Sequence, residues 1–257
     1  MHPQLLGPIK SFGFMLAVSF AVGIWICVRR GRNRGVSTET IYDLSFLILI
    51  SSLLGVRLLY VVTHPKMFTG DWWRVLAFPE GGLTLYGGIV LALAAGWVFC
   101  RRRKLPFLKA ADIMIPQVAL GIGITRIGCY LAGCCYGKPC DLPWAVHFPH
   151  NSPAVAQYGP VAVHPAQLYG AFGGFLIFGL LLLWERISQR HGETLGRFLL
   201  LYGVHRFVVD FSRYYEPSQR VIFGWSNNQL ISVGMVAVGL GLMVWATRRS
   251  PSHTMTG

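Results

Sequence analysis

Apolar stretches near residues 12–28, 41–63, 82–100, 111–132, 166–184, 196–212 and 228–247 constrain this chain more than any other feature in it. Each is close to the roughly 20 apolar residues that cross a hydrocarbon core as a helix. In lipid the backbone must satisfy its own polar groups, which a helix does within the segment. The expectation is an all-α integral membrane protein of about seven transmembrane helices, built as a single polytopic membrane domain over residues 1–257. Composition agrees, since 53% of residues are hydrophobic and only 13% charged, unlike a water-soluble domain. The first stretch reads as a retained helix: it has no basic lead-in or small-residue cleavage site and ends in Arg29-Arg30. The sixth is the least apolar, because it carries Arg206 and Asp210.

The chain holds 23 Lys and Arg against 10 Asp and Glu, a formal charge of +13. The basic residues lie in short runs beside apolar stretches, which speaks for membrane topology and against nucleic acid as a partner. One side takes Arg29, Arg30, Arg32 and Arg34, then Arg101 to Lys104 with Lys109, then Arg186 and Arg190, then Arg248 and Arg249. Lys10, Lys66, Arg74, Lys138, Arg213 and Arg220 are scattered over the other. The side richer in Lys and Arg is cytoplasmic, so the N-terminus is expected outside, in the periplasm, and the C-terminus in the cytoplasm.

The longest connection, about 134–165, then lies on the outer side. Pro139, Pro143, Trp144, Phe148, Pro149, Pro153 and Tyr158 make it rigid and amphipathic, suited to the lipid interface where Trp and Tyr are favoured. Cys27 and Cys100 fall in apolar stretches, while Cys129, Cys134, Cys135 and Cys140 crowd one short region. That region contains no Cys-x2-Cys pair of the kind that holds zinc, and no metal or cofactor is expected. No internal repeat marks an inverted-repeat transporter.

Ionisable residues at membrane depth carry the functional signal. Arg126 lies within Gly-Ile-Thr-Arg-Ile-Gly-Cys near the outer end of the fourth helix, and Arg206 within Tyr-Gly-Val-His-Arg-Phe-Val-Val-Asp in the sixth. An isolated charge there costs about 2.5–3.5 kcal/mol even on an insertion scale, so an anionic partner is called for. A lipid phosphodiester suits, because the planar guanidinium gives bidentate, charge-assisted bonds to phosphate oxygens. The blander reading pairs Arg206 with Asp210, four residues on and on the same helix face, and lets Arg126 snorkel to the interface. Arg57 and Arg197, near span ends, read as structural. His164 opens the run His-Pro-Ala-Gln-Leu-Tyr before the fifth helix, where Gln167 and Tyr169 follow at a spacing that lines one pocket. With an unperturbed pKa of about 6.5 it is a candidate general base. His147 and His205 stand in other contexts.

At Gly-x-x-Arg-Ile-Gly followed by Gly-Cys-Cys-Tyr-Gly-Lys-Pro, the sequence resembles the prolipoprotein diacylglyceryl transferases, integral membrane enzymes of bacterial lipoprotein maturation. Pro8-Ile9-x-x-Phe12-Gly13 looks like the start of that family. The run Glu80-Gly81-Gly82-Leu83-Thr84-Leu85-Tyr86-Gly87-Gly88 resembles the beginning of its third helix, and His164 to Tyr169 that of its fifth. Leu201 to Arg213 resembles its Tyr-Gly-x-x-Arg-x-x-x-Glu-Phe-x-Arg motif, and Asn228-Gln229-Leu230-Ile231-Ser232 the start of its last helix. The motifs occur in order along nearly the whole chain.

The resemblance implies seven helices in a bacterial cytoplasmic (inner) membrane. It also implies transfer of the diacylglyceryl group of phosphatidylglycerol to the thiol of the lipobox cysteine in a prolipoprotein signal peptide, with a thioether formed and glycerol phosphate released. It carries the key arginines onto Arg126 and Arg206. The expected substrate surface takes in Gly128, Gly137, Gly87, Gly88, Gln167, Tyr169 and Gln229 beside Arg126. The chain departs from the family pattern at several places: Tyr86 stands for a His before Gly-Gly, Cys129 for an Asn, Phe12 for a Tyr, Gly170 for an acid and Asp210 for a Glu. Tyrosine, with an unperturbed pKa near 10, is a poorer base than histidine, so Tyr86, His164 and Asp210 all stand as candidates for the group that takes the thiol proton. The alternative is a diverged, non-catalytic member that binds anionic lipid or a membrane partner.

Overall fold

The computed structural model describes residues 4–6, 9–65, 85–188, 190–214 and 224–249. Two short strands, β1 (Gln4–Leu6) and β2 (Ile9–Lys10), precede α1 (Ser11–Asn33), α2 (Thr38–Thr63), α3 (Leu85–Arg102), α4 (Phe107–Ala132), α5 (Pro153–Tyr158), α6 (Ala166–Glu185), α7 (Glu193–Phe211) and α8 (Asn227–Arg249). Each apolar stretch of the sequence lies on a helix of its own, apart from Ser212 at the end of the sixth, which caps α7, and residues 82–84 of the third, which lie outside the described residues with Glu80 and Gly81 of its motif. The all-α expectation holds as the fold class, and the strand pairing beside the helices is minor. β1 and β2 pair antiparallel, and single bridges join Gly137 to Arg213 and Val163 to both Pro139 and Val146.

Among the described residues five helices, α1, α2, α4, α6 and α8, are long and apolar enough to cross a membrane. Their outward faces carry large apolar side chains in number, among them Phe46, Ile50, Leu54, Leu58, Phe172, Leu176 and Leu183. Water does not tolerate so continuous an apolar surface, and the chain is a multi-pass helical membrane protein. Hydroxyls inside the helices are satisfied by the preceding turn, as Ser45 donates to the carbonyl of Ile41 at 2.7 Å and Thr125 to that of Gly121 at 2.6 Å. That device keeps polar atoms bonded where lipid offers no partner.

The described chain divides into two compact units, Met1–Ile26 with Ala111–Gly257, and Cys27–Ala110. In the smaller unit α2 and α3 cross with their backbones in contact: a β-carbon on Gly87 would lie 2.2 Å from the carbonyl oxygen of Gly55. Such close approach is how membrane helices gain packing when burial of apolar surface from water is not available. Ser37 caps α2 by accepting from the amide of Thr40 at 3.2 Å.

In the larger unit Ala119, Ile177, Leu181 and Phe198 form a core shared by α4, α6 and α7. Gly196 and Gly239 bring α7 and α8 together, with β-carbons that would stand 2.9 and 2.7 Å from the opposing carbonyl oxygens. The buried carboxylate of Asp112 on α4 accepts from the amides of Gly192 and Leu195. It thereby satisfies orphan donors at the start of α7 and complements the positive helix end. The connection read as an amphipathic loop, 134–165, holds more structure than its sequence announced. It contains α5, capped by Ser152, and a small core of Phe148, Ala154 and Val163 covered by Tyr136 and Tyr158, while Leu142, Trp144 and Val161 remain exposed.

Candidate active site

A stripe on α7 supplies one wall of a pocket. Tyr202, His205, Arg206 and Val209 follow at offsets that place them on one helix face, and all four line the cavity. α4 contributes Ile122 and Arg126, α6 contributes Ala166 and Gly170, and Cys135 and Arg213 reach in from the segments that follow α4 and α7. Three guanidinium-bearing residues, from three places in the sequence, therefore share one small cavity.

Glycines of α6 decide how these side chains lie. A β-carbon on Gly170 would stand 3.2 Å from Cγ and Cδ of Arg126, so the aliphatic stem of the arginine rests against the α6 backbone. One turn on, a β-carbon on Gly173 would fall 2.2 Å from Cε1 and Nε2 of His205, so the imidazole packs against bare backbone. Gly174 lets the same helix approach α4, where its β-carbon would meet the amide nitrogen of Gly123 at 2.6 Å.

Arg206 is held from behind. Its Nη1 donates to Oδ1 of Asp210 at 2.9 Å, and the hydroxyl of Ser226 donates to Oδ2 of the same carboxylate. Ser226 in turn accepts from the amide of Gln229 at 3.1 Å, while Gln229 Oε1 accepts from the amide of Ser226 at 3.0 Å. That reciprocal pair is a capping box at the start of α8. Asp210, 3% exposed, thus links the arginine on α7 to the beginning of α8.

Arg213 is placed by strand-like pairing. The amide of Gly137 donates to the carbonyl of His164 at 3.0 Å, that of His164 to Lys138 at 2.9 Å and that of Lys138 to Ser212 at 2.9 Å. Gly137 fits only as glycine, since a β-carbon would lie 2.6 Å from the carbonyl oxygen of Ser212 and 2.5 Å from Cβ of His164. His164 Nδ1 lies 3.2 Å from the hydroxyl of Tyr169, which accepts from Trp144 Nε1 at 2.8 Å, and neither His164 nor Tyr169 belongs to the pocket lining. Gln167 is fully buried and donates to the carbonyl of Cys134 at 2.7 Å. Gly128 packs on Met15, whose Cβ would be 2.9 Å from an added β-carbon. Tyr86, Gly87 and Gly88 belong to the other unit, where the glycines face α2 and Tyr86, 47% exposed, sits in the first turn of α3.

The sequence-level choice therefore meets the pocket at Arg126 and Arg206. It passed over His205, Arg213 and Cys135. The offset between Tyr202, His205, Arg206 and Val209 was the signal that would have found His205. Arg197, as read, is structural: it pairs with Glu193 at 2.6 Å and lies over the ring of Trp184.

The turn after α4 brings together what sequence spacing kept apart. The sulfurs of Cys129, Cys134 and Cys135 all lie within 4.8 Å of one another. Cys135 has φ +62°, a left-handed conformation that costs a residue with a β-carbon roughly 1–2 kcal/mol. Its thiol is held well below the ordinary range by hydrogen bonds from Cys129 and Cys134, and further by the positive charges of Arg213 and Arg126.

A family profile described as prolipoprotein diacylglyceryl transferase matches residues 4–245. A phosphatidylglycerol–prolipoprotein diacylglyceryl transferase of Pseudoalteromonas atlantica is 34% identical over 256 residues, covering 95% of this chain and 88% of the relative. Proteins of the same name from Clostridium tetani, 32% identical over 90% of this chain and 91% of the relative, and Chromohalobacter salexigens, 34% identical over 95% and 91%, are similar along the same length. Match and geometry coincide at the pocket, since Arg126, Arg206 and Arg213 all fall within the matched residues, and the chain belongs to the prolipoprotein diacylglyceryl transferase family.

Proposed function

We propose that this protein is a transferase that moves the diacylglyceryl group of phosphatidylglycerol onto the thiol of a lipobox cysteine in a prolipoprotein, forming a thioether and releasing glycerol phosphate. The observation that carries the reading is the convergence of Arg126, Arg206 and Arg213 on one pocket. In the reaction the substrate sulfur forms a bond to the glyceryl carbon as that carbon's bond to the phosphate oxygen breaks. Negative charge gathers on the departing phosphate, and fixed guanidiniums directed at it stabilise the transition state more than the ground state. The Asp210 carboxylate holds Arg206 in place, so the donor is oriented before the substrate arrives.

The incoming thiol must lose its proton, because the thiolate is the nucleophile. We assign that proton to His205, which lines the pocket beside Arg126 and Arg206. Both carboxylate oxygens of Asp210 are engaged by Arg206 and Ser226, and His164 is tied to Tyr169. Tyr86, at the place where the family pattern has a histidine, is the competing base, and a His205→Gln variant set against Tyr86→Phe decides between them by which one removes the ascending limb of the pH profile, where activity rises as the base loses its proton.

We read the whole chain, 1–257, as one domain with seven membrane spans in the bacterial inner membrane, N-terminus periplasmic and C-terminus cytoplasmic. In support, α1 ends with Arg30 and Arg32 and α3 with Arg101 and Arg102, the positive clusters that stay on the cytoplasmic side. The lipobox segment of the acceptor approaches from the outer face, where the 134–165 region lies against lipid.

The test is transfer of labelled diacylglycerol from phosphatidylglycerol to a lipobox peptide by the purified protein in detergent, with a Cys→Ser peptide as control. Transfer to the cysteine peptide alone is expected. A folded preparation that binds phosphatidylglycerol yet labels neither peptide would replace this reading with lipid binding alone, the outcome that the substitutions at Tyr86 and Cys129 favour.

A further inference from the structure

Three cysteines that the transfer reaction does not use meet beside the pocket, and the way α4 ends explains why. Gly133, with φ +72°, stops the helix. The amide of Gly133 donates to the carbonyl of Tyr130 and that of Cys134 to the carbonyl of Cys129, both at 3.1 Å. This pair of bonds around a left-handed glycine folds the residue after the glycine back over the fourth residue from the helix end. Cys134 accordingly comes to lie on Cys129. Cys135, left-handed itself at φ +62°, turns the third sulfur to the other two.

We propose that Cys129, Cys134 and Cys135 form a three-thiolate site for a soft monovalent cation of the copper(I) type. Sulfurs on a trigonal ion with bonds of about 2.3 Å stand about 4 Å apart, which the 4.8 Å cluster accommodates. Thiolates select soft ions. Zinc in a structural site takes four ligands, whereas among the described residues this group holds three. Gln167 pins the turn through the carbonyl of Cys134 at 2.7 Å, the kind of outer support that fixes ligands in a metal site. Three thiolates with one monovalent cation make a dianion, and Cys135 shares the pocket with Arg126, Arg206 and Arg213. The loaded site therefore competes with a lipid phosphate for the same guanidiniums. That consequence rests on the transferase reading; the site itself does not.

The experiment is a titration of the full-length, reduced protein in detergent under anaerobic conditions with copper(I), against a chromophoric copper(I) chelator. One copper per chain withdrawn from the chelator is expected, with affinity lowered roughly tenfold or more in Cys129→Ser and Cys135→Ser and unchanged in Cys140→Ser. Alkylation of the unsubstituted protein, mapped by mass spectrometry, needs no variant: copper is expected to protect Cys134 and Cys135 and leave Cys140 labelled at its former rate. A chelator that keeps all its copper, or equal labelling with and without the metal, overturns the site. Binding of zinc but not copper overturns the three-coordinate assignment. Copper bound with transfer unchanged overturns the competition for the arginines and leaves the site standing.

Discussion

Gly170 of α6 is the surface on which Arg126 of α4 lies, close enough that a β-carbon would stand 3.2 Å from two carbons of the arginine stem. The room beside Arg126 is supplied by the absence of a side chain at this position.

Alanine at Gly170 is expected to push Arg126 by a few tenths of an ångström and to lower transfer several-fold. Alanine at Gly173, whose β-carbon would meet the His205 ring at 2.2 Å, is expected to cost on the order of 10²-fold, the scale of a 1 Å misplacement of a catalytic group. Turnover of both variants, measured beside their thermal unfolding midpoints, checks this; a Gly173→Ala protein with full activity would show that the position of His205 does not matter.

Arg126→Ala is expected to insert and fold but to lose transfer by roughly 10²–10³-fold, as when one donor to a developing anion is removed. Arg126→Lys restores little, because a point charge lacks the planar fork that grips a phosphate at two oxygens. Near-normal turnover in either variant rules out the phosphate role.

Ser226→Ala removes at once the cap of α8 and a donor to Asp210. A stability loss of about 1 kcal/mol is expected from the cap, together with weaker lipid binding as Arg206 loses its fixed partner. Thermal unfolding in detergent and phosphatidylglycerol binding measure the two effects separately. A fall in stability with lipid binding intact would confine Ser226 to the helix end.

A reporter active only in the cytoplasm, fused after Arg249, is expected to be active, and one fused before Ser11 to be silent. The opposite pattern would reverse the topology inferred from the arginine runs at the ends of α1 and α3.

Much of this was legible in the sequence. An apolar stretch in lipid has one low-energy backbone conformation, so the apolar stretches could be read as helices from hydropathy, of which five are long and apolar enough to cross a membrane among the described residues, and Arg126 and Arg206 were marked because charge at membrane depth needs a reason. Arg206 was readable together with Asp210, since four residues on a helix fix their approach. Spacing gave no comparable hold on the cysteines, Arg213 or the chain between 134 and 165. Cys129 and Cys134 meet because a left-handed glycine reverses the chain between them, and Arg213 reaches the pocket because its strand-like neighbour Gly137 is gripped from both sides. Helical periodicity is a local rule and is written locally; which helix faces which depends on backbones that approach through Gly170, Gly173 and Gly174, and that approach exists only once the helices are packed.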